Sequence, residues 1–393
     1  MPASSPATGA KPSNPFTPDW GVGPPVLVGR DEHLDRAERA MRAGPRDFWF
    51  THAYYGERGV GKTVLLDAIG ERVTALGWPV VHNVVRGGRF VEVLLRLGLP
   101  EARRRLSRRR LGRADLTVTA EIDVGVVTLE AQRKPEAEAR LPIEAELELT
   151  LRQLGELAAD KHKGVLLTLD EAHAADATDL LVLSQTLQLV TKRRELPIAL
   201  IVAGLPQLPS LLTGPEMTFL ERMPKLELGF LGPDACRLAL TKPAADRGVR
   251  FTDDALTTLV DASGGYPYFV QLLGYHAWEA RSGRIVDRAA VTTAVRDAAR
   301  MAALQVFTPR WERLAPKEQD FLRVMADVHA RRPDDPVAVA EVRERLGAAS
   351  YEDISYLRVR LLQKGVVRPA GRGLLRFTFP GMAEWVRAPG PAG

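Results

Sequence analysis

Apolar positions recur along this chain in two rhythms, and the change between them divides it. Phe48–Tyr55, Trp78–Val84, Val165–Leu169 and Ile198–Ala203 are near-continuous apolar runs of strand length. Between them lie stretches with apolar residues three and four apart. One carries Leu34, Ala37, Ala40 and Met41; another carries Val64, Leu65, Ala68, Ile69, Val73 and Leu76; a third spans about Asp179–Val190. Strands of this kind alternating with amphipathic helices predict an α/β fold, a parallel sheet covered on both faces. After a last core strand near Leu226–Phe230 the helical rhythm takes over. Gly232-Pro233-Asp234 reads as a helix entry with Asp234 as cap, and helices follow near Asp253–Asp261, Tyr268–Ala280 and Ala289–Met301.

Two stretches break the rhythm. Residues 1 to about 25 are rich in Pro, Ser, Ala and Gly and predict a mobile tail. Phe16 and Trp20 are the residues that would pin it if it packed. Residues from about 88 to 145 read as an insertion. It opens with the basic run Arg103–Arg110, either a solvated helix face or a contact for phosphate or a partner. The alternation Leu116–Val124 then predicts a hairpin-like element.

The last segment, about 305–387, predicts a winged helix. Helices starting at Leu314-Ala315-Pro316, over Val337–Leu346 and over Tyr351–Lys364 are followed by strand starts at Gly365-Val366-Val367 and Leu374–Phe379, around the turn Gly371-Arg372-Gly373. The predicted division is a tail at 1–24, an α/β core at 25–231, a helical lid at 232–304 and the winged helix at 305–387.

Composition narrows the class. The 393 residues exceed one ordinary domain, and 45% hydrophobic with 26% charged residues is the range of a globular protein. The single Cys236 excludes an internal disulfide framework and fits a reducing, cytoplasmic setting. No apolar run approaches the ~18 residues a membrane span needs. The formal charge of +5 is compatible with nucleic acid or an anionic surface and proves neither.

The strongest chemical signal is Gly56-Glu57-Arg58-Gly59-Val60-Gly61-Lys62-Thr63, set between a strand and an amphipathic helix. It matches G-x-x-x-x-G-K-[ST] in full. Glycines let successive N–H groups turn toward phosphate oxygens, and the helix start adds a positive dipole end. Lys62 supplies a cation for the β- and γ-phosphates, the Thr63 hydroxyl a ligand for Mg²⁺, and Val64 closes the loop. The apolar run Val165–Leu169 ends in Asp170-Glu171. Asp170 suits the magnesium shell; Glu171 suits a general base that polarises water. The predicted ligands are ATP or ADP with Mg²⁺, and the predicted reaction is ATP hydrolysis.

Together these motifs resemble the AAA+ ATPases, near the Orc/Cdc6-like proteins and the STAND signalling ATPases, over about residues 25–300. Val28-Gly29-Arg30-Asp31-Glu32 resembles the family's opening box, which implies that Pro25–Val28 lies against the adenine. The resemblance implies that nucleotide binds between core and lid. It places sensor 1 near Val202–Gln207, where only Gln207 is a polar candidate, which implies slow hydrolysis. It implies that Arg222 is an arginine finger serving a neighbouring subunit in a nucleotide-dependent homo-oligomer. Ser263-Gly264-Gly265-Tyr266-Pro267 stands where sensor 2 reads G-x-R; here it is G-x-P, with Pro267 against the nucleotide. Asp170-Glu171-Ala172-His173 spells a helicase box, but no other helicase motif accompanies it, and His173 is assigned no role.

Arg358, Arg360, Lys364, Arg368, Arg372 and Arg376 enrich the winged helix in cations and suit double-stranded DNA. Glu352 and Asp353, which open its third helix, suit a protein partner instead. The sequence thus supports an ATP-dependent switch that binds DNA, or a signalling or scaffold ATPase that binds protein. A nucleotide-binding pseudo-ATPase is a third reading.

Overall fold

The computed structural model describes residues 12–19, 23–107, 117–120, 141–193, 195–214, 216–347 and 351–388. They form two compact units. One holds residues 30–229; the other holds the N-terminal residues up to 29 together with residues from 230 onward.

The first unit is built on a six-stranded sheet: β1 (Thr51–Tyr55), β2 (Val80–Val84), β3 (Thr117–Ala120), β4 (Val165–Asp170), β5 (Ile198–Gly204) and β6 (Lys225–Glu227). Its order is β3-β2-β4-β5-β1-β6, and every pairing is parallel. All residues of β4 and β5 are buried, the condition that selects unbroken apolar strands over alternating ones. Helices α1 (Asp31–Ala43), α2 (Lys62–Ala75), α3 (Ile143–Asp160) and α4 (Ala177–Leu187) cover it. Leu147, Leu151 and Leu154 of α3 lie at no more than 1% exposure in the same core as Leu167 and Leu200.

Part of the expected hairpin-like element is described. Thr117–Ala120 pair in parallel with Val80–Asn83 and extend the main sheet as an edge strand. Residues 121–124 of the expected alternation lie outside the described residues, as do Arg108–Arg110. Within the basic run, Arg104 and Arg105 both pair with Glu101 along the helical turns of Leu99–Ser107.

The second unit carries α5 (Pro233–Ala245), α6 (Asp253–Ser263), α7 (Pro267–Ala280) and α8 (Arg288–Ala302), with a two-stranded pair β7 (Arg250–Phe251) and β8 (Ile285–Val286). Gly232 holds the cap position of α5, and Asp234, expected there, lies in its first turn. Then come α9 (Pro316–His329), β9 (Val337–Ala338), α10 (Val339–Leu346), α11 (Tyr351–Gln363), β10 (Val367–Pro369), β11 (Leu374–Phe377) and α12 (Met382–Arg387). The expected helix over Val337–Leu346 begins as strand β9, because Val337 and Ala338 pair with β11. Three helices with an antiparallel sheet in the order β10-β11-β9 are compatible with a winged helix. The helices of 233–302 and the segment 316–387 share one core. Tyr266, just before α7, meets Phe379, which follows β11, at 5.7 Å between ring centres, and Phe307 meets Phe379 at 6.5 Å.

Residues 12–19, expected within a mobile tail, are packed. Phe16 is 3% exposed and sits edge-on to Trp278. Asn14 donates to the Tyr275 carbonyl and to Glu279, and the Thr17 N–H donates to Gln271. The seat exists because position 274 is glycine: a Cβ there would come within 2.6 Å of the Phe16 ring. Trp20 lies outside the described residues. Phe16→Ala is expected to destabilise this unit by about 3 kcal/mol, the loss for a buried aromatic ring and the cavity it leaves. Urea unfolding followed through Trp278 fluorescence measures it; an unchanged midpoint would show that the strap contributes nothing.

Candidate functional site

The sheet places the chemistry at its carboxyl edge, where β1 and β4 both end. Ligands of open parallel sheets gather at such an edge. β1 ends at Tyr55, the loop Gly56–Gly61 follows, and α2 starts at Lys62. Gly61 has φ 91°, ψ 28°, a left-handed turn that lets the chain enter α2 directly from the loop. Glu57 and Gly59 are half-buried, Val60 is buried and Arg58 is exposed.

Lys62 is 6% exposed, and its Nζ donates to the carbonyls of Gly56 at 2.9 Å and Glu57 at 2.8 Å. The side chain therefore arches back over its own loop. Burial pushes its pKa below the usual lysine value, while Glu171, Asp170 and Glu57 pull the other way. A desolvated ammonium held by carbonyls is suited to exchange them for phosphate oxygens.

Thr63 and Asp170, far apart in sequence, come together. Thr63 Oγ1 donates to Asp170 Oδ2 at 2.5 Å. Asp170 Oδ1 accepts the Glu171 N–H at 2.8 Å. Both oxygens of this buried carboxylate are thereby aimed. Glu171 has φ 52°, ψ 30°, a conformation that costs a side-chain-bearing residue about 1 kcal/mol or more and recurs at functional sites. Its carboxylate lies 3.4 Å from His173 Nε2. Burial lowers the His173 pKa, and Glu171 partly opposes that. The sequence reading gave His173 no role; its place two residues after Glu171 on a short 3₁₀ turn is the signal that could have marked it.

The remaining expected residues sit elsewhere. Val64 is half-buried in the first turn of α2. Arg222 is exposed at the end of the Thr218–Arg222 helix and forms no ion pair among the described residues. β5 ends in buried Val202, Ala203 and Gly204, and Gln207 is exposed beyond it. Val28 and Pro267 both belong to the second unit. Val28 is buried in that unit's core, and Pro267 is the first residue of α7.

The winged-helix cations are largely engaged. Glu318, 1% exposed, forms an ion pair with Arg360 Nε at 2.7 Å and accepts from Lys364 Nζ at 2.6 Å. Burial alone would raise this carboxyl, but Lys364, the Ala315 N–H and Arg360 outweigh it and hold the pKa below the usual range. Arg368 stacks 4.9 Å from the Phe230 ring centre, and Arg376 donates to the Asp334 carbonyl. Arg358 and Arg372 have no ion pair among the described residues. On α11, Tyr356 and Val359 stand 60% and 45% exposed.

Residues 26–202 match the AAA ATPase domain family, and residues 304–386 match a domain of unknown function, DUF8462. The fold is similar to that of the Walker-type ATPase of Pyrococcus abyssi, with a TM-score of 0.61 at 14% identity, covering 92% of this chain and 96% of that one. It is similar to that of the ORC2 protein of Aeropyrum pernix, solved in ADPNP–ADP complexes, with a TM-score of 0.61 at 17% identity, covering 94% and 95%. No curated protein gives a significant match. Residues 26–202 are thus an AAA ATPase domain of the P-loop class. Among the described residues no helix is long and apolar enough to cross a membrane.

Proposed function

We propose that this chain binds ATP in the Gly56–Thr63 loop and hydrolyses it slowly to ADP and phosphate, using the bound nucleotide as a switch in the cytoplasm. The observation that carries this is the Thr63–Asp170 hydrogen bond, which joins the end of β4 to the start of α2. The donor set fits a magnesium ion: a hydroxyl and a carboxylate, both hard oxygen ligands, already share one place. Thr63 and Asp170 would hold Mg²⁺, which would neutralise phosphate charge there. Lys62 and the loop amides from Glu57 to Val64 bind the phosphates. Glu171 orients and deprotonates the attacking water. Val28 and Pro267 carry the base-side and lid-side contacts of this reading, and Arg222 serves a second copy in a nucleotide-dependent homo-oligomer. The lack of a polar side chain at the end of β5 supports slow turnover. Calorimetric titration with Mg-ATP tests the reading, and a parent chain that takes up no nucleotide overturns it.

For output, the reading is double-stranded DNA bound by the winged helix through Arg358 on α11 and Arg372 on the wing. Removing either is expected to weaken duplex binding and lower the slope of log affinity against log salt by about 1. Fluorescence anisotropy across a salt series measures it. A second reading has a specific observation behind it: Arg360 and Lys364 turn inward to Glu318 while Tyr356 and Val359 face out. That surface suits a protein partner. Salt-independent indifference to duplex DNA would favour it.

A further inference from the structure

The chain passes from one unit to the other at Gly29–Arg30 and returns at Gly229–Phe230. One side chain holds an end of each passage. Arg30 Nη2 donates to the Gly229 carbonyl at 2.7 Å and to the Val60 carbonyl, inside the phosphate loop, at 3.1 Å. Arg30 is 6% exposed. Among the described residues it forms no ion pair. This contrasts with Arg36, Arg42 and Arg72, which each face a carboxylate.

The position is electrostatically costly. Arg30 occupies the N-cap of α1, where the helix dipole is positive and disfavours a cation. A buried charge without a partner is expensive, so a fold that retains one has an anion for it. Burial alone depresses its pKa, with no carboxylate raising it, which agrees with the geometry. The Val60 carbonyl that Arg30 holds belongs to the loop that, on the reading above, takes the phosphates.

We propose that Arg30 is a positioning residue that clamps the phosphate loop to the Gly229 end of the core and whose buried charge is balanced by the bound nucleotide's phosphates. The inference rests on the loop holding a nucleotide. It assigns Arg30 a role that the Val28–Glu32 box does not by itself imply. Its two halves have separate readouts.

The clamp is read without nucleotide. Hydrogen–deuterium exchange of the parent chain and Arg30→Met is compared over peptides 56–62 and 225–231. Both are expected to exchange several-fold faster in the variant, with peptides from β4 and β5 unchanged. Equal exchange would overturn the clamp. The charge is read by calorimetry with Mg-ATP. Arg30→Met is expected to lose about tenfold in affinity, whereas Arg30→Lys, which keeps the charge, stays within about threefold of the parent. Equal losses in Arg30→Met and Arg30→Lys would overturn the charge role and leave a purely structural arginine. A parent chain that takes up no ATP would overturn the nucleotide reading and the charge role together, and the exchange measurement still decides the clamp. If Arg30→Met does not fold, Arg30→Lys carries the exchange test, because a lysine cannot reproduce the guanidinium geometry between the two carbonyls.

Discussion

Lys62→Ala is expected to lower ATP affinity by about a hundredfold or more, because it removes charge-assisted hydrogen bonds of about 1.5–3 kcal/mol each. In the structure the Lys62 ammonium spends its donors on the Gly56 and Glu57 carbonyls. It sits in a place where burial disfavours its charge. Both facts point the same way. The ammonium is positioned before any ligand arrives, and phosphate offers it stronger acceptors than the loop does. Lys62→Arg keeps the charge but is too large and planar to fold over the same two carbonyls, so a partial loss is expected. Titration calorimetry with Mg-ATP measures both variants, with circular dichroism to confirm that each is folded. If Lys62→Ala binds within about threefold of the parent, the Gly56–Thr63 loop is not the phosphate site, since a contact of this kind carries more than that.

The Gly56–Thr63 loop and the acidic end of β4 were legible in the sequence because each is a local pattern with a local cause. Glycines permit the turn at Gly61, and an apolar strand ends in carboxylates at Asp170 and Glu171. Their meeting follows from a parallel sheet, which sends both strand ends to one edge. What escaped depends on partners distant in sequence. Phe16 looks like part of a Pro/Ser-rich tail until Gly274 supplies the space it fills. Thr117–Ala120 alternates along the chain, but its parallel place beside β2 follows from the sheet and not from the alternation. The winged-helix cations look like one phosphate-binding set. Two of them are drawn to Glu318, a carboxylate whose burial the local pattern does not reveal. Arg30 could be read as part of a box, but not as a link between Val60 and Gly229. His173 was set aside because a helicase spelling needs companion motifs; its nearness to Glu171 is a matter of the turn alone.

Glu171→Gln is expected to cut ATP turnover by about a hundredfold or more while leaving ATP binding in place, the size of effect that loss of a positioned base produces. The geometry separates the two carboxylates into different tasks. Asp170 is buried, with one oxygen taken by Thr63 and the other by the Glu171 N–H. Those two hydrogen bonds hold it in one orientation. The Glu171 side chain is 39% exposed, so water reaches it. Its left-handed backbone and the bond from its own N–H to Asp170 fix where the carboxylate can go. Glutamine preserves that shape and cannot accept the proton, so the change isolates the chemistry. Phosphate release under single-turnover conditions reads the rate, and calorimetry reads the binding. Asp170→Asn is expected to differ in kind: it keeps a partner for Thr63 but removes a charge beside the phosphates, so it weakens the magnesium dependence of binding itself. If Glu171→Gln hydrolyses ATP at the parent's rate, the strained backbone at Glu171 serves only to cap β4, and the base must be sought on another element.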